Sequence, residues 1–540
     1  MITYPLLMVF LPIISAIFIY IMGKSWANRL VFATQLALSL LYLQLIAIFP
    51  VLNSKSLVIG DWTLQSGIAL KIDNLSMAFI GLAIFMWWMV ILYAWPIYKK
   101  DNKFLFFLLF LEGTFLGLLM VNDLFSMFVF IDIITILSAI LVVYKKDGWS
   151  LRSGLYYLMI NSMGMLTYLM GFVIVYMLTG TLNWDLATER LSVLPLSPSI
   201  YAAYILMSAS VSVKAAFFPT FNWLSRAHGS APASISALLS GLLVKGGLYA
   251  FIRIQELFSR PMMGDFFFHL GLITALSGVI FALSQKDIKQ MLAFSTISQI
   301  GLMLMGISQI QTNIYYGGLI HLFNHALFKA LLFLGAGILI NHYKTRRLTQ
   351  IRGVFQAFPL LSVTLFIGML SITGAPFFNG YIGKYILSTE LASKPLYFSL
   401  YHLVNLGTIM TYMKFSQIFF LPNEESKPFL PDPKQWGKMD RPRHIIPSLI
   451  LAFSCLFATF GFSFLGNLVQ ADFPTVRLFS ATKYVHWSLT VILAYILTKA
   501  FIFTDRITHI LHAIREVKIP FYHTAYMFIL LLASMLVFAW

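Results

Sequence analysis

Ionisable side chains recur inside the longest apolar stretches of this sequence. A charged group near the centre of a bilayer is costly unless it is paired or hydrated, so each one is a candidate for function. Carboxylate, imidazole and ammonium groups exchange protons, and the chemistry they suggest is proton or cation movement. The candidates are Glu112, Asp132, Lys214, Lys245, His321, His325, Lys329, Lys384 and Lys414.

Some of these charges have simpler explanations. A lysine near a helix end can extend its ammonium group to the membrane surface, and we interpret Lys499 in this way. Glu112 and Lys414 suit structural packing as well as transport, so we treat them as accessory candidates. The other lysines lie deeper in their stretches, which predicts that they belong to a proton pathway.

The segment HLFNHALFKALLFLGAG places three titratable side chains on one face of a helix. His321, His325 and Lys329 follow one another at four-residue steps, each turning the helix by about 40°. This stripe could relay protons, bind a metal or hydrogen-bond between helices. A metal fits least, because a lysine one turn away would repel it. We predict a relay, with no metal and no cofactor.

Two apolar stretches contain helix-breaking residues beside a lysine. SVKAAFFPTFNWL places Lys214 shortly before Pro219, and TGAPFFNGYIGKY places Pro376 and several glycines before Lys384. Proline removes a backbone donor and clashes with the preceding turn, so both helices should be discontinuous. Such backbone survives in a bilayer only where protein or water covers it.

The chain that must position these groups has 540 residues, of which 59% are hydrophobic and 11% charged. Soluble domains carry about 25% charged residues, so this composition excludes a soluble globular protein. The apolar stretches predict an all-α polytopic membrane protein with about sixteen transmembrane helices. These stretches lie near residues 3–22, 29–49, 74–96, 104–121, 123–143, 154–178, 201–224, 233–252, 266–284, 290–308, 314–341, 358–389, 396–421, 445–468, 485–503 and 522–540.

The formal charge of +17 is explained by membrane orientation. Cytoplasmic loops retain Lys and Arg, and most basic residues here fall after the odd-numbered stretches. We therefore predict a multi-pass protein of the bacterial cytoplasmic membrane with both termini outside, contacting lipid and no nucleic acid. The single cysteine, Cys455, permits no intrachain disulfide.

The two broken stretches, the seventh and the twelfth, occupy equivalent places. If stretches 4–8 and 9–13 are two five-helix units, each break is fourth in its unit, and the odd number inverts the second copy. We predict three regions: N-terminal helices in 1–103, a core of two inverted repeats in 104–421, and a C-terminal loop with further helices in 422–540. The loop spans about 423–443, and 505–518 could lie amphipathically on the membrane.

Several segments resemble a known family. They are VKAAFFPTFNWLSRAHGSAPASISALLSGLLVKGGLYAFIRI, QKDIKQMLAFSTISQIG, HLFNHALFKALLFLGAG and GYIGK. Over about residues 74–421 the chain resembles the antiporter-like membrane subunits of complex I, energy-converting hydrogenases and Mrp cation/proton antiporters. It is most similar to the D-type Mrp subunit, because of the histidine-containing hinge, the lysine of the eighth helix and the lysine of GYIGK.

The resemblance implies a proton or cation pathway through residues that match the family's motifs. These are Asp132, Lys214, Lys245, His325 and Lys384. It also implies other membrane subunits as partners, with protons and Na⁺ or K⁺ as transported ions. We hypothesise that Asp132 pairs with Lys214, and that opening this pair drives a proton toward Lys245.

Two departures from the family pattern stand out. Asp132 occupies a position that is usually Glu, and Leu224, Ser225 and Arg226 stand where the family usually has Leu-Pro-Asp. The second departure reverses a charge at the hinge. Two helices, near 485–503 and 522–540, also lie beyond the usual fourteen and could form a docking surface.

The predicted function is proton or cation/proton translocation as a subunit of a multisubunit Mrp-type antiporter. Three alternatives remain open. The chain could be a proton-pumping subunit of a complex I-like or hydrogenase-like redox complex, an energising subunit of an inorganic-carbon uptake complex, or a scaffold that transports nothing. In each case we expect no catalytic chemistry of its own.

Overall fold

The computed structural model describes residues 4–21, 24–52, 55–60, 62–259, 262–421, 442–461, 481–502, 505–517 and 519–539. In this part of the chain, 11 helices are long and apolar enough to cross a membrane by length and composition. The predicted all-α, multi-pass class is therefore confirmed. The helix count of about sixteen and the inverted repeats stay predictions. The predicted loop at 423–443 lies almost wholly outside the described residues.

Among the described residues up to 193, the chain forms seven α-helices and one small antiparallel sheet. The helices are α1 (Tyr4–Ile21), α2 (Lys24–Leu52), α3 (Asn74–Tyr98), α4 (Asn102–Met120), α5 (Leu124–Val142), α6 (Gly148–Thr179) and α7 (Trp184–Val193). The sheet pairs β1 (Ser56–Val58) with β2 (Ala69–Lys71), which precedes α3.

The middle and C-terminal parts are also helical. Their helices are α8 (Pro198–Lys214), α9 (Asn222–Ser230), α10 (Ala233–Leu238), α11 (Val244–Leu257), α12 (Gly264–Ser284), α13 (Ile288–Ile307), α14 (Ile314–Tyr343), α15 (Val354–Ala357), α16 (Pro359–Thr373), α17 (Asn379–Leu391), α18 (Pro395–Ser416), α19 (Pro442–Phe460), α20 (Ala481–Leu497), α21 (Asp505–Glu516) and α22 (Phe521–Ala539).

Aspartates fix where several helices begin. The carboxylates of Asp73, Asp101, Asp123 and Asp147 accept backbone N–H groups in the first turns of α3, α4, α5 and α6, at 2.6–3.1 Å. The first N–H groups of a helix have no partner within the helix, and a negative charge also suits the positive end of the helix dipole. The scarce acidic residues therefore set the ends of the spans.

The helices break where the sequence weakens them. The chain leaves α8 after Lys214 and resumes helical geometry at Asn222, with Pro219 in the gap. It leaves α16 after Thr373 and resumes at Asn379, through Gly374 at φ 74°. Glycine suits this turn because it lacks a Cβ, which would lie only 2.9 Å from Cδ of Lys384.

A third irregularity carries no proline. Between α10 and α11 the chain forms a π-helical segment, Leu239–Leu243, which ends two residues before Lys245. Single π turns inside α-helices are frequent at functional sites. Gly241 lies in this segment, and a Cβ there would come within 2.6 Å of Cε of Met86.

Helix α14 is the centre of the second half. It packs against α10, α13, α16, α17 and α19. His321, His325 and Lys329 of this helix are all 0% exposed. The predicted stripe therefore faces protein on every side and not lipid.

The C-terminal helices cross from the second half back to the first. Helix α20 packs against α18, α21 against α12, and α22 against α6 and α8. The Arg226 guanidinium donates to the carbonyl oxygen of Ile519 at 2.7 Å and lies over the Tyr156 ring at 4.4 Å. The tyrosine hydroxyl in turn contacts Thr524 of α22. The unusual Arg226 thus ties the hinge helix α9 to the last helix.

We expect Arg226→Ala to loosen α22 from α6 and α8. A hydrogen bond to a charged group contributes about 1.5–3 kcal/mol, and the variant also loses the contact with the ring. Limited proteolysis in detergent should cleave the linker before α22 faster than in the wild type. Arg152→Ala, at an exposed position of α6, is the matched control. Equal cleavage in both variants would show that Arg226 does not anchor the helix.

An ion pair joins the start of α3 to α11. Arg253 Nη2 lies 2.7 Å from Asp73 Oδ1. Burial alone would raise the pKa of Asp73, but the Arg253 guanidinium and hydrogen bonds from Ser76 hold it at about 2. The folded chain therefore binds the Asp73 proton more weakly than the unfolded chain, whose pKa is about 3.9.

This difference predicts a pH-dependent contribution to stability. It is fully present above about pH 4, and it is lost as the pH falls through about 2. We expect Asp73→Asn to lower the free energy of unfolding by on the order of 2 kcal/mol at neutral pH. Thermal unfolding in detergent should show a gap between variant and wild type that closes below about pH 2. A gap of constant size across this range would contradict the assignment.

Candidate functional site

Five lysine ammonium groups lie in the interior of the bundle. Their residues are between 0% and 6% exposed. None of them forms an ion pair with a carboxylate in the described part of the chain. Each instead donates to backbone carbonyl or side-chain hydroxyl groups, and one also contacts a histidine. The five are Lys214, Lys245, Lys289, Lys329 and Lys384.

Lys214, the last residue of α8, faces α5 and α6. Its Nζ atom donates to Thr135 Oγ1 at 2.6 Å and to the Tyr157 hydroxyl at 3.1 Å. Both residues are described, yet Lys214 and Asp132 are not within 4.0 Å of each other. Asp132 is partly exposed one turn before Thr135 on α5. The hypothesised ion pair is therefore open here, and a hydroxyl binds the ammonium group.

Lys245 and His325 form a direct contact between α11 and α14. Lys245 Nζ lies 2.7 Å from His325 Nδ1 and also donates to the carbonyl oxygen of Ser240 in the π-helical segment. The hydroxyls of Ser240 and Thr296 are 2.9 Å apart. The Lys245 ammonium group is therefore within hydrogen-bond distance of a histidine nitrogen.

The other members of the α14 stripe bind different partners. His321 Nε2 lies 2.9 Å from Gln299 Oε1 of α13. Lys329 donates to the carbonyl of Leu292 at 2.9 Å and to the hydroxyls of Ser295 and Tyr412. The stripe therefore connects α14 to α11, α13 and α18.

Two ring nitrogens of the stripe remain without a partner. His325 Nε2 and His321 Nδ1 are buried and accept or donate no hydrogen bond among the described residues. The centroids of the two rings are 6.2 Å apart. A bridging water is the usual partner of buried polar atoms at such a separation.

Lys384 is placed by the break between α16 and α17. Its Nζ atom donates to the carbonyl of Ile372 at 2.7 Å, in the last turn of α16. This carbonyl is free for Lys384 because the helix ends at Thr373. The Tyr401 hydroxyl donates to the backbone carbonyl of Lys384 at 2.7 Å and holds α18 against this segment.

Lys289 was missed by the sequence reasoning. It is not among the sequence candidates because the tenth apolar stretch begins at residue 290, directly after it. Its Nζ atom donates to the carbonyl of Ala231 at 2.7 Å and to Ser236 Oγ at 3.1 Å, between α9 and α10. The signal was its place in QKDIKQMLAF, one turn before a long apolar run.

His228 lies close to these lysines in the hinge helix α9. Its ring stacks on Phe333 of α14 with centroids 4.5 Å apart and an interplanar angle of 11°. Both ring nitrogens are buried without a hydrogen-bond partner among the described residues. Such an arrangement is costly unless water completes it, which indicates a hydrated space near the hinge.

The accessory candidates have structural contacts. Glu112 is 0% exposed and accepts a hydrogen bond from the side-chain amide of Gln35. Lys414 donates to the carbonyls of Leu283 and Gln285 at 2.7 and 2.5 Å, where α12 ends. A cation at a helix C-terminus caps free carbonyls. Neither residue contacts the five interior lysines.

Comparison with known proteins gives the chain a family. Residues 121–411 match the model of the NADH:quinone oxidoreductase/Mrp antiporter transmembrane family. Hydrogenase-4 component B of Escherichia coli is 31% identical over 305 residues, which is 53% of this chain and 45% of that protein. Putative antiporter subunit mnhA2 of Staphylococcus aureus is 30% identical over 392 residues, 67% of this chain and 48% of that protein. The chain thus spans about half the length of these relatives.

Solved structures share the fold. A chain of the archaeal membrane-bound sulfane sulfur reductase superposes with a TM-score of 0.77 at 23% identity, over 90% of this chain and 99% of that chain. A chain of the Mrp complex from Dietzia sp. DQ12-45-1b superposes with a TM-score of 0.76 at 21% identity, over 91% of this chain and 99% of that chain. A chain of respiratory complex I from Thermus thermophilus superposes with a TM-score of 0.74 at 20% identity, over 92% of this chain and 100% of that chain.

The predicted family is confirmed, since the match covers more than half of the chain and includes the interior lysines. The chain belongs to the NADH:quinone oxidoreductase/Mrp antiporter family of membrane subunits.

Proposed function

We propose that this chain moves protons, alone or in exchange for Na⁺ or K⁺, as one subunit of a multisubunit membrane complex. The observation that carries the proposal is the set of five buried lysines that form no ion pair with a carboxylate among the described residues. Burial of an ammonium group in a low-dielectric interior favours loss of its proton. A protein that needed only stability would place apolar side chains at these positions.

The proposed pathway runs from Lys214 through Lys245 and the α14 histidines to Lys384. Lys214 would gain or lose its proton as Asp132 approaches or withdraws, because an opposite charge within a few Å favours the ammonium form. Lys245 passes a proton to His325 across their 2.7 Å contact. Waters complete the wider gaps from Lys214 to Lys245 and from His325 to Lys384.

The two helix breaks supply the movable parts of the pathway. Pro219 and Pro376 lie in the gaps beside Lys214 and Lys384, and backbone without helical hydrogen bonds can change conformation at lower cost than an intact helix.

We also propose that the chain is divided into N-terminal helices in 1–103, a core in 104–421 and a C-terminal region in 422–540. The positive-inside bias supports a bacterial cytoplasmic membrane with both termini outside.

A redox complex is the second candidate assembly. It is favoured by the similarity to Hydrogenase-4 component B and by the fold shared with the sulfane sulfur reductase. The D-type Mrp assignment rests on the hinge histidine and on the lysines of the eighth helix and of GYIGK. Identifying the chains that co-purify with the native complex separates a redox assembly from an antiporter or a carbon-uptake complex.

Lys245→Ala should abolish transport. It removes the only group in the described structure that contacts His325 Nδ1, so the relay loses its central step. In vesicles from cells carrying the full complex, the proton flux should fall by more than about tenfold, or ~1.4 kcal/mol. Lys499→Ala, at an exposed position in the π-helical segment Thr498–Ile502 that follows α20, is the control. Normal flux in an assembled Lys245→Ala complex would end the relay proposal.

Transport should require a carboxylate at position 132, and either Asp or Glu should supply it. Asp132→Glu should retain transport because the family pattern usually has Glu here, whereas Asp132→Asn cannot hold the negative charge that stabilises protonated Lys214. The flux assay should separate the two variants by about tenfold or more. Equal flux in both would show that the charge is incidental, and Thr135 would then be the functional partner of Lys214.

A further inference from the structure

A cavity with a mostly apolar lining that includes several polar residues lies beside Lys384, and a helix outside the family match helps to form it. Its volume is about 390 Å³, and its walls come from α17, α18 and α20. Each water occupies about 30 Å³ of liquid, so the cavity has room for several. The polar residues that matter here are Lys384, Tyr401, His402, Asn405, Lys483 and His486.

One face of helix α20 carries polar residues at regular spacing, and that face lines the cavity. Thr482, His486 and Thr490 follow at four-residue steps and therefore lie on one side of the helix. Leu489 and Ile492, 60% and 54% exposed, are not among the cavity-lining residues. In a bilayer, polar side chains are placed where protein or water covers them. The cavity therefore explains why polar residues lie on this face of α20.

Two histidines face each other across the cavity. The rings of His402 on α18 and His486 on α20 have centroids 5.3 Å apart. His402 Nε2 is buried and has no hydrogen-bond partner among the described residues. A buried nitrogen without a partner costs free energy unless water reaches it. The pair therefore indicates a hydrated cavity that holds proton acceptors next to Lys384.

The cavity extends to the end of the bundle where α17 and α18 meet. Thr389 and Ala392, at the end of α17, line it, and Lys483 near the start of α20 places its ammonium 5.0 Å from the centre of the Tyr385 ring. The loop charges assign this end to the outside of the membrane. A proton that leaves Lys384 here would reach the external solution.

We propose that this cavity is the outer vestibule of the proton pathway, and that His402 and His486 carry protons between Lys384 and the external water. This inference rests on the proposed function. Lys384 gives its proton to a ring nitrogen of His402 directly or through one water, and it becomes a neutral amine. The resulting imidazolium releases a proton from its other nitrogen toward His486, which releases one to bulk water. Lys384 returns to its ammonium form when it is reprotonated from within, and each imidazole regains its starting tautomer by turning its ring or by exchanging protons with cavity water.

The first test measures whether water reaches the vestibule, and it does not depend on transport. Cys455, the single cysteine, is buried. Intact cells carrying the full complex with Thr490→Cys are treated from outside with a membrane-impermeant, positively charged methanethiosulfonate. Thr490→Cys should react, because a hydrated thiol can form the reactive thiolate. Leu493→Cys, at a position of α20 that does not line the cavity, and the wild-type chain should not. Reaction of Thr490→Cys no faster than Leu493→Cys would overturn the inference.

The second test measures transport through the histidines. His402→Phe combined with His486→Phe keeps the cavity lined by rings but removes both acceptors. The proton flux should fall by about tenfold or more, while Ser488→Phe, at an exposed position of α20, should transport normally. His402→Gln with His486→Gln, which restores polarity without a titratable group, should also fail.

The results separate this inference from the proposed function. Normal flux in the double phenylalanine variant, together with lost flux in Lys245→Ala, would overturn the vestibule and leave the relay standing. Normal flux in Lys245→Ala would overturn the relay itself. Lost flux in both, with Ser488→Phe active and Thr490→Cys reactive, supports the vestibule.

Discussion

The structure depends on how an ammonium group can be buried without a carboxylate. An isolated charge in the interior is costly, so each lysine must find other oxygen atoms. Interrupted helices provide them for three of the five lysines, because carbonyls at a helix end have no intrahelical donor and carry the negative end of the dipole. Lys384 uses Ile372 at the end of α16, Lys289 uses Ala231 after α9, and Lys245 uses Ser240 in the π-helical segment. At these three lysines, the interrupted helix supplies the carbonyl oxygen that allows the ammonium group to be buried.

This arrangement also explains why the charges suit proton transfer. A carboxylate would hold an ammonium proton firmly, whereas carbonyl and hydroxyl oxygens stabilise it less. One of these lysines also lies within hydrogen-bond distance of a histidine, since Lys245 Nζ is 2.7 Å from His325 Nδ1. Helix α14 is surrounded by other helices and supplies these acceptors at the centre of the second half. Under the proposed function, this weaker anchoring and the nearby histidine would favour movement of the proton over storage of it.

The C-terminal helices connect the two halves of the bundle. Helix α20 lies on α18 near Lys384, and α22 lies on α6 and α8 near the hinge. The Arg226 contact with Ile519 accounts for a charge that departs from the family pattern. The segment beyond the family match therefore contacts helices that lie beside both helix breaks.

The sequence by itself determined the features that depend on local chemistry. Apolar runs define the helices, Pro219 and the Gly374–Pro376 segment define two breaks, and four-residue spacing places the α14 stripe on one face. Only the tertiary structure decided which groups meet. Lys214 meets Thr135, 79 residues away, where the family pattern pointed to Asp132, and Lys289 points inward although its sequence position is typical of a loop. The π-helical segment gave no local signal, and the spacing of Thr482, His486 and Thr490 did not show which helix their face contacts. The reason is physical: propensity and periodicity act within a few turns, whereas the partner of a buried charge depends on how distant helices pack.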